Sequence, residues 1–478
     1  MSEKIQETAD DINESLPHRV NPPDIGLGAL FKLATPLFVA NLAIMGAATI
    51  DTIMAGRMGA EHLAVVALGG ATAVMILFGL VGILQGLSPI AGHHYGARKL
   101  PMIGFELSQN LWIAFFLALI AIAVVMQRDF WVDFGGVSGN VAEMTRTYLA
   151  ACAWGLPAAV ISRSFIAVNS AVNRPRVTMY VSLMMLATKA PLNCVFMYGW
   201  LGMPEMGGAG AAVALSINSW LALAVYYLVW KFDRYYDPMR AEKFFWPQIK
   251  VLWHQLKLGV PIGLSVFFEV SSFTLMAIFI ARIGTIDVAA HQIVGNITAT
   301  MYQIPLSLAI AVSVLVSQCL GAGYKDKAYE ITIRTLKVAV TIALVGVTLL
   351  YIFRSQIVGL YTLDVPVKTL ATSLLIFGII YHVTDACQTV SGFALRGYRV
   401  TFAPMLIYGI LLWAVGLGGG YWAGFHGEAI GGPYGAAGFW GATAIGLVLA
   451  GLCLAAMAVW VARTRMLEDR ASAHKATV

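Results

Sequence analysis

Charged side chains are scarce in this sequence. Asp, Glu, Lys and Arg together make up 12% of the 478 residues, whereas hydrophobic residues make up 59% and the mean hydropathy is +0.76. A typical water-soluble domain carries about 25% charged residues. The composition therefore excludes an ordinary soluble protein and is typical of a chain that crosses a membrane many times.

Two kinds of motif are also missing. No G-x-x-x-x-G-K-[ST] stretch occurs and no polar segment is long enough to form a nucleotide-binding domain, so nothing indicates the use of ATP. The five cysteines form no C-x-x-C pair and have no histidine at metal-ligand spacing. We therefore expect no cofactor and no structural metal, and we interpret the cysteines as packing residues.

Long apolar stretches dominate the rest of the chain. A helix needs about 20 residues to cross a hydrocarbon core of about 30 Å, and twelve stretches reach that length. We predict an all-α integral membrane protein with twelve transmembrane helices. The predicted spans are 30–55, 62–87, 103–126, 145–168, 177–199, 207–230, 252–281, 286–319, 331–353, 367–393, 401–424 and 436–462.

The basic residues concentrate in alternate loops. Because positively charged loops stay on the cytoplasmic side, this distribution predicts that both termini lie in the cytoplasm. The net charge of +6 follows from this topology and from contact with anionic headgroups, so we expect a lipid bilayer and no nucleic acid as partner. The residues assigned to the cytoplasm are Arg98, Lys99, Arg174, Arg176, the basic residues between 231 and 250, Lys325, Lys327, Arg396, Arg399 and those beyond residue 462.

The two halves of the chain repeat each other. A shift of 225 residues aligns Pro36 with Pro261 and Arg57 with Arg282 without a gap, and several glycines and alanines match in the same way. Each half has six spans, an even number, so the halves enter the bilayer from the same side and form a parallel 6+6 repeat. Such repeats suit alternating access, which makes transport the leading functional interpretation.

This repeat predicts the domain organisation. We expect residues 1–29 to form a mobile cytoplasmic tail and 30–230 the first six-helix bundle. The charged stretch 231–250 is the expected cytoplasmic connector, 251–462 the second bundle, and 463–478 a cytoplasmic carboxy-terminal tail.

Three acids stand out inside predicted spans: Asp51, Glu269 and Asp385. A charge in a span costs at least about 2.5 to 3.5 kcal/mol, so each acid requires an explanation. Such a group can exchange a proton or bind a desolvated cation, although a permanently neutral acid or, for Asp51, a structural contact is the alternative. Glu269 aligns seven residues before Asp51, almost two helical turns, which predicts that both acids face the same way.

Other polar residues in the spans could belong to the same sites. Lys189 in span 5 requires an acid nearby, and Glu269 and Asp385 are the candidates. His382 could relay protons or be a packed histidine, and His291 and Gln292 are further candidates for a substrate cavity.

Several segments resemble a known family. The stretches IDTIMAGRMGAEHLAVVALG, VNRPR, GMPEMGGAGAA, VPIGLSVFFE and ALRGYRVTFAPM resemble the multidrug and toxic compound extrusion (MATE) family in its NorM-type branch. The resemblance runs from about residue 30 to 462. It implies a V-shaped exporter that moves organic cations out of the cytoplasm in exchange for inward Na⁺ or H⁺. It also implies a multi-pass protein of the cell inner membrane, acting as a monomer on small-molecule drugs and toxic organic ions.

The resemblance also assigns roles to residues. The family's acids in spans 1, 7 and 10 fall on Asp51, Glu269 and Asp385, and Tyr381 falls where relatives can carry an aromatic cation-site residue. Relatives show two asparagines four residues apart in span 5. The second is Asn193 here, but Lys189 replaces the first.

This replacement bears on the coupling ion. An ammonium at a cation site repels Na⁺, so we expect H⁺ coupling in preference to Na⁺ bound at Glu269 and Asp385. A lipid-linked saccharide flippase of the same superfamily is the alternative function, for which we would expect more arginines in the cavity. A major-facilitator transporter would carry a charged motif absent from AGHHYGARKLP, and an intramembrane enzyme would need a nucleophile or metal cluster that is also absent.

Overall fold

The computed structural model describes residues 23–240 and 244–477. Residues 1–22 of the predicted tail and 241–243 of the predicted connector lie outside this description. Within the described residues, twelve helices are long and apolar enough to cross a membrane, which confirms the predicted fold class. We label them α1 (Leu27–Met58), α2 (Ala60–Gly96), α3 (Leu100–Val125), α4 (Gly139–Ala171), α5 (Pro175–Phe196), α6 (Gly207–Phe232), α7 (Ile249–Ala281), α8 (Thr285–Gly321), α9 (Lys325–Gly359), α10 (Val365–Gly397), α11 (Phe402–Phe425) and α12 (Gly435–Glu468).

Some local features were not predicted. A short helix, Arg128–Phe134, joins α3 to α4, and a 3₁₀ helix, Arg234–Met239, follows α6 in the connector. The middle of α11, Gly409–Gly418, is a π-helix. This segment contains several glycines and passes close to α12. The close approach is shown at Gly446 of α12, where an added Cβ would lie 2.5 Å from the Leu411 carbonyl oxygen.

The chain divides into two compact units. The amino-terminal unit contains residues 35–263, and the carboxy-terminal unit contains residues 23–34 together with the chain from Leu264 onward. The first turns of α1 therefore pack with the second unit, where Arg334 Nη1 donates a hydrogen bond to the Ile25 carbonyl at 2.7 Å. Correspondingly, the first half of α7 packs with the first unit.

The same helix pairs recur in both units. In the amino-terminal unit α4 packs against α2, α3 and α6, and in the carboxy-terminal unit α10 packs against α8, α9 and α12. Each helix of the second set lies six helices after its equivalent in the first set: α8 after α2, α9 after α3, α12 after α6 and α10 after α4. The packing therefore follows the duplication seen in the sequence, with α4 and α10 as the central helices.

Four glycines join α2 to the first half of α7 inside the amino-terminal unit. Gly82 and Gly86 are four residues apart on α2, and Gly259 and Gly263 are four apart on α7. A Cβ at Gly259 would lie 2.1 Å from the Ile83 carbonyl oxygen, and one at Gly82 would lie 2.5 Å from Gly263 Cα. The two backbones are thus in direct contact, a packing that small residues at i and i+4 allow in membrane helices. We call this contact the glycine crossing.

The glycine crossing yields a stability prediction. We expect Gly259→Ala to destabilise the protein by about 1 to 3 kcal/mol, because the added methyl group has no room and the backbones must separate. The measurement is the thermal unfolding midpoint in detergent. Gly56→Ala in α1 is the matched control, since its Cβ would meet nothing within 4 Å, and a helical Gly→Ala change without a clash is neutral or stabilising. Equal midpoints for both variants would show that the crossing is not tight.

Candidate functional site

A buried ion pair joins α1 to α5 in the amino-terminal unit. Lys189 Nζ lies 3.0 Å from Asp51 Oδ2, and Asn193 Nδ2 donates a hydrogen bond to Oδ1 of the same carboxylate at 2.7 Å. Lys189 and Asn193 are four residues apart on α5, so both side chains leave the same face of the helix. Lys189 is 1% exposed and Asp51 8% exposed. The carboxylate is therefore held by two partners away from solvent.

The remaining polar atoms of this site are partly satisfied. Lys189 Nζ also donates to the Ala211 carbonyl at 3.2 Å, and Tyr198 donates from its hydroxyl to the Met54 carbonyl at 3.1 Å. Asn193 Oδ1 is buried and has no hydrogen-bond partner among the described residues. The site thus retains one free acceptor beside the ion pair.

The predicted partner of Lys189 was wrong. We expected Glu269 or Asp385, but the ammonium pairs with Asp51. The physical reason is the packing: α1 and α5 belong to the same unit, whereas Glu269 and Asp385 belong to the other. A buried ammonium pairs with the acid that its own bundle presents.

Glu269 and Asp385 come together in the carboxy-terminal unit, on α7 and α10. The Tyr302 hydroxyl donates to Glu269 Oε1 at 3.1 Å, and Gln388 Nε2 donates to Asp385 Oδ1 at 2.9 Å. The two carboxyls are close enough to interact electrostatically. Asp385 is buried and Glu269 is half-buried. Each acid therefore has one hydrogen-bond donor and a second acid nearby.

Arg396 is a buried arginine in the last turn of α10, the helix that carries Asp385. It is 9% exposed, and its guanidinium lies 3.8 Å from the centre of the Phe393 ring. From the sequence we placed Arg396 on the cytoplasmic side, just after the end of span 10, and in the structure it stands one residue before the end of the helix.

The aromatic candidates form a separate cluster. Tyr381 is 3% exposed and stacks on Trp440 with ring centres 6.2 Å apart, and the His291 ring lies 5.6 Å from the same indole. Gln292, the next residue, is exposed. His382 is 4% exposed and borders a cavity between α8 and α9. These candidates therefore do not share one site: Tyr381 and His291 pack on Trp440, and His382 faces a different space.

One buried acid was missed by the sequence analysis. Glu106 in α3 accepts a hydrogen bond from Gln255 Nε2 at 2.6 Å, and Gln255 accepts one from Asn110 Nδ2 at 2.9 Å. His94 Nε2 lies 3.8 Å from the other carboxylate oxygen. These residues tie α3 to the first half of α7 near the glycine crossing. The signal was visible, because Glu106 is the fourth residue of the predicted third span.

The MatE family profile matches residues 36–198 and 261–422, once in each half of the chain. The chain belongs to the MATE family. Within it, the NorM branch supplies similar curated proteins: the "Probable multidrug resistance protein NorM" of Aromatoleum aromaticum is 40% identical and the one of Chromobacterium violaceum 35% identical. The matches cover 88% and 92% of this chain and 92% and 94% of those proteins, respectively.

Solved MATE structures share the fold at low sequence identity. The eukaryotic MATE transporter AtDTX14 superposes with a TM-score of 0.82 at 16% identity, over 92% of this chain and 98% of that one. The Vibrio cholerae MATE transporter VcmN in its bent form gives 0.80 at 17% identity, over 92% and 98%. The profile match and the NorM relatives show that this MATE protein is a multi-pass membrane transporter of the efflux type and not an enzyme.

Proposed function

We propose that this MATE protein exports small amphipathic organic compounds, organic cations among them, in exchange for protons. The names of its NorM relatives support the drug substrates. The observation that supports proton coupling is that the Asp51 site already contains a fixed cation, Lys189. A proton can still bind at such a site, because it adds to a carboxylate oxygen without needing a shell of ligands.

Because Asp51 is already paired with Lys189, Na⁺ binding in the first unit is unfavourable. The ammonium stands 3.0 Å from the carboxylate, where a bound metal ion would have to lie. Two unit charges at 4 Å repel each other by about 4 kcal/mol at an effective dielectric constant of 20. Lys189 thus acts as a tethered cation, and the site is already neutral.

The second site differs in its charge balance. Glu269 and Asp385 lie near each other and can carry two negative charges. Two ionised carboxylates repel each other, in an environment where each charge is costly. One proton removes this repulsion, so we infer that this acid pair carries the coupling proton.

The transport cycle follows as a competition for this charge. On the outer side the acid pair takes up a proton, becomes neutral and releases the bound organic cation. On the inner side the proton leaves, and the negative site attracts the next substrate. The driving force is the proton gradient, in which the electrical part supplies about 2.3 kcal/mol per charge per 100 mV.

The transport cycle requires a defined orientation of the protein in the membrane. Following the distribution of basic residues, we place both tails, 1–29 and 463–478, and the connector 231–250 on the cytoplasmic side of the inner membrane. The two compact units, residues 35–263 and residues 23–34 with 264–477, then move as the alternating-access halves of a monomer.

Ethidium efflux from proteoliposomes tests the proposal. We expect an imposed proton gradient to drive efflux in Na⁺-free buffer, and an imposed Na⁺ gradient at equal pH on both sides to drive none. The measurement is ethidium fluorescence in vesicles loaded with nucleic acid. Efflux driven by Na⁺ alone would overturn proton coupling, and absence of efflux under both gradients, in vesicles shown to contain folded protein, would overturn ethidium as a substrate.

A further inference from the structure

A groove opens between α8 and α9 in the carboxy-terminal unit, apart from the acid pair. Its volume is about 370 Å³, within the range of about 300 to 1,000 Å³ that drug-sized ligand sites occupy. The walls are one face of each helix: Ile297, Met301 and Ile304 recur at helical spacing on α8, and Ala343 and Gly346 on α9. The lining residues include no Asp, Glu, Lys or Arg.

Small residues on α9 create this space. Ala339, Ala343 and Gly346 follow one another at intervals of four and three residues on the groove side of the helix. A Cβ at Gly346 would lie 3.4 Å from Met301 Cε, so even a methyl group there would begin to fill the groove. On the facing wall, Pro305 has no N–H, so the Met301 carbonyl lacks its usual intrahelical donor.

The groove is open on one side. Ile304, Leu349 and Phe353 at its rim are 39%, 52% and 48% exposed, whereas Leu308 and Leu350 at its floor are 2% and 5% exposed. The neighbouring exposed residues of α9, Leu344, Val345 and Ile352, are also apolar. An apolar exposed face on a membrane-spanning helix contacts lipid hydrocarbon, so the groove opens toward the bilayer.

His382 differs from the other polar residues of the lining, Thr300 and Tyr361, whose hydroxyls donate hydrogen bonds to Asn296. It comes from α10, is 4% exposed and borders the groove. A neutral imidazole has one N–H donor and one acceptor nitrogen. His382 can therefore exchange a hydrogen bond with a polar atom of a molecule in the groove.

We infer that the groove binds a single-chain lipophile that carries one uncharged hydrogen-bonding group, such as a hydroxyl or carbonyl. The chain lies between α8 and α9 and the polar group pairs with His382. A charged head group does not fit, because no lining residue carries a charge to offset it. The molecule reaches the site by lateral movement from the bilayer through the open rim. This site does not depend on the coupling ion or on the exported substrate.

Photolabelling tests this inference. The probe is a 12-carbon alcohol with a diazirine in its chain, added to the full-length protein in phosphatidylcholine nanodiscs, and labelled peptides are mapped by mass spectrometry. We expect labelling concentrated on α8 and α9 and displaced by 1-dodecanol about three- to tenfold more effectively than by dodecane, the advantage that one hydrogen bond supplies. Uniform labelling of exposed helix faces would overturn the site, since annular lipid contact gives that pattern.

Single substitutions in and beside the groove test where the probe binds and which residue recognises its hydroxyl. Gly346→Leu should abolish the concentrated labelling by filling the groove, whereas Val345→Leu, on the neighbouring exposed face, should not. His382→Leu should keep the labelling but remove the preference for dodecanol over dodecane. If Gly346→Leu does not fold, Ile342→Phe narrows the groove from another position on the same wall. An unchanged preference in His382→Leu, or unchanged labelling in both filling variants, would overturn the inference.

Discussion

Glu269→Gln and Asp385→Asn each abolish proton-driven efflux almost completely, while membrane insertion stays normal. Either amide keeps the size of the side chain and an oxygen that can accept the hydrogen bond from Tyr302 or Gln388. Neither amide can take up or release a proton, and the remaining carboxyl loses the repulsion from its neighbour that favours binding a proton. The proton exchange that drives the cycle is then lost. Ethidium efflux from proteoliposomes at equal protein content measures the loss.

The control for these two variants is an acid outside the spans of the same unit. Glu428 is exposed in the short helix between α11 and α12, and Glu428→Gln should transport like the unmodified protein. Retained full efflux in both Glu269→Gln and Asp385→Asn would remove the acid pair from the mechanism. Loss in only one of them would assign the coupling proton to that carboxyl alone.

Lys189→Asn should convert the first site into one that responds to Na⁺. The substitution removes the ammonium that is paired with Asp51, and the new amide stands four residues before Asn193 on α5. One carboxylate and two amide groups then surround a space without a cation, and oxygen ligands of this kind suit hard cations. We expect Na⁺ to stimulate efflux by this variant and to leave the unmodified protein unaffected. The measurement is ethidium efflux with and without Na⁺ at fixed pH, and strong Na⁺ stimulation of the unmodified protein would refute the role of Lys189.

Measurements of thermal stability test separately whether Lys189 and Asp51 stabilise the fold as a pair. Lys189→Met leaves Asp51 buried without its partner, and removing one member of a buried ion pair costs about 3 to 5 kcal/mol. The double variant Asp51→Asn with Lys189→Met should recover most of that loss, because no charge remains. Thermal unfolding of the single and double variants in detergent checks this, and additive losses would show that the two residues do not act as a pair.

The sequence predicted what depends on long-range periodicity and failed where side-chain partners depend on packing. Twelve apolar stretches and a repeat at 225 residues were sufficient for the helices and their parallel halves. The acid that pairs with Lys189 was not predictable in this way, because the distance between α1 and α5 follows from helix packing and not from spacing along the chain.

Two other features need the structure for a similar reason. Gly82, Gly86, Gly259 and Gly263 are ordinary membrane glycines in the sequence, and only the direct contact of α2 with α7 shows why a side chain is not tolerated there. The groove at His382 arises from small residues on one face of α9 opposite a proline in α8. In contrast, Glu106 was visible in the sequence as a further acid within a predicted span and could have been named.

The shared start of α7 has a consequence for how the protein is made. Residues 249–263 fill the amino-terminal unit through the glycine crossing and the Gln255 hydrogen bonds to α3, so six inserted helices leave that unit incomplete. Its final packing must wait until the ribosome has delivered the seventh helix. Likewise, residues 23–34 find their permanent neighbours only after α9 emerges, about 300 residues later. Synthesis of the two halves as separate chains, cut within the connector, would give a first fragment with an uncovered glycine face.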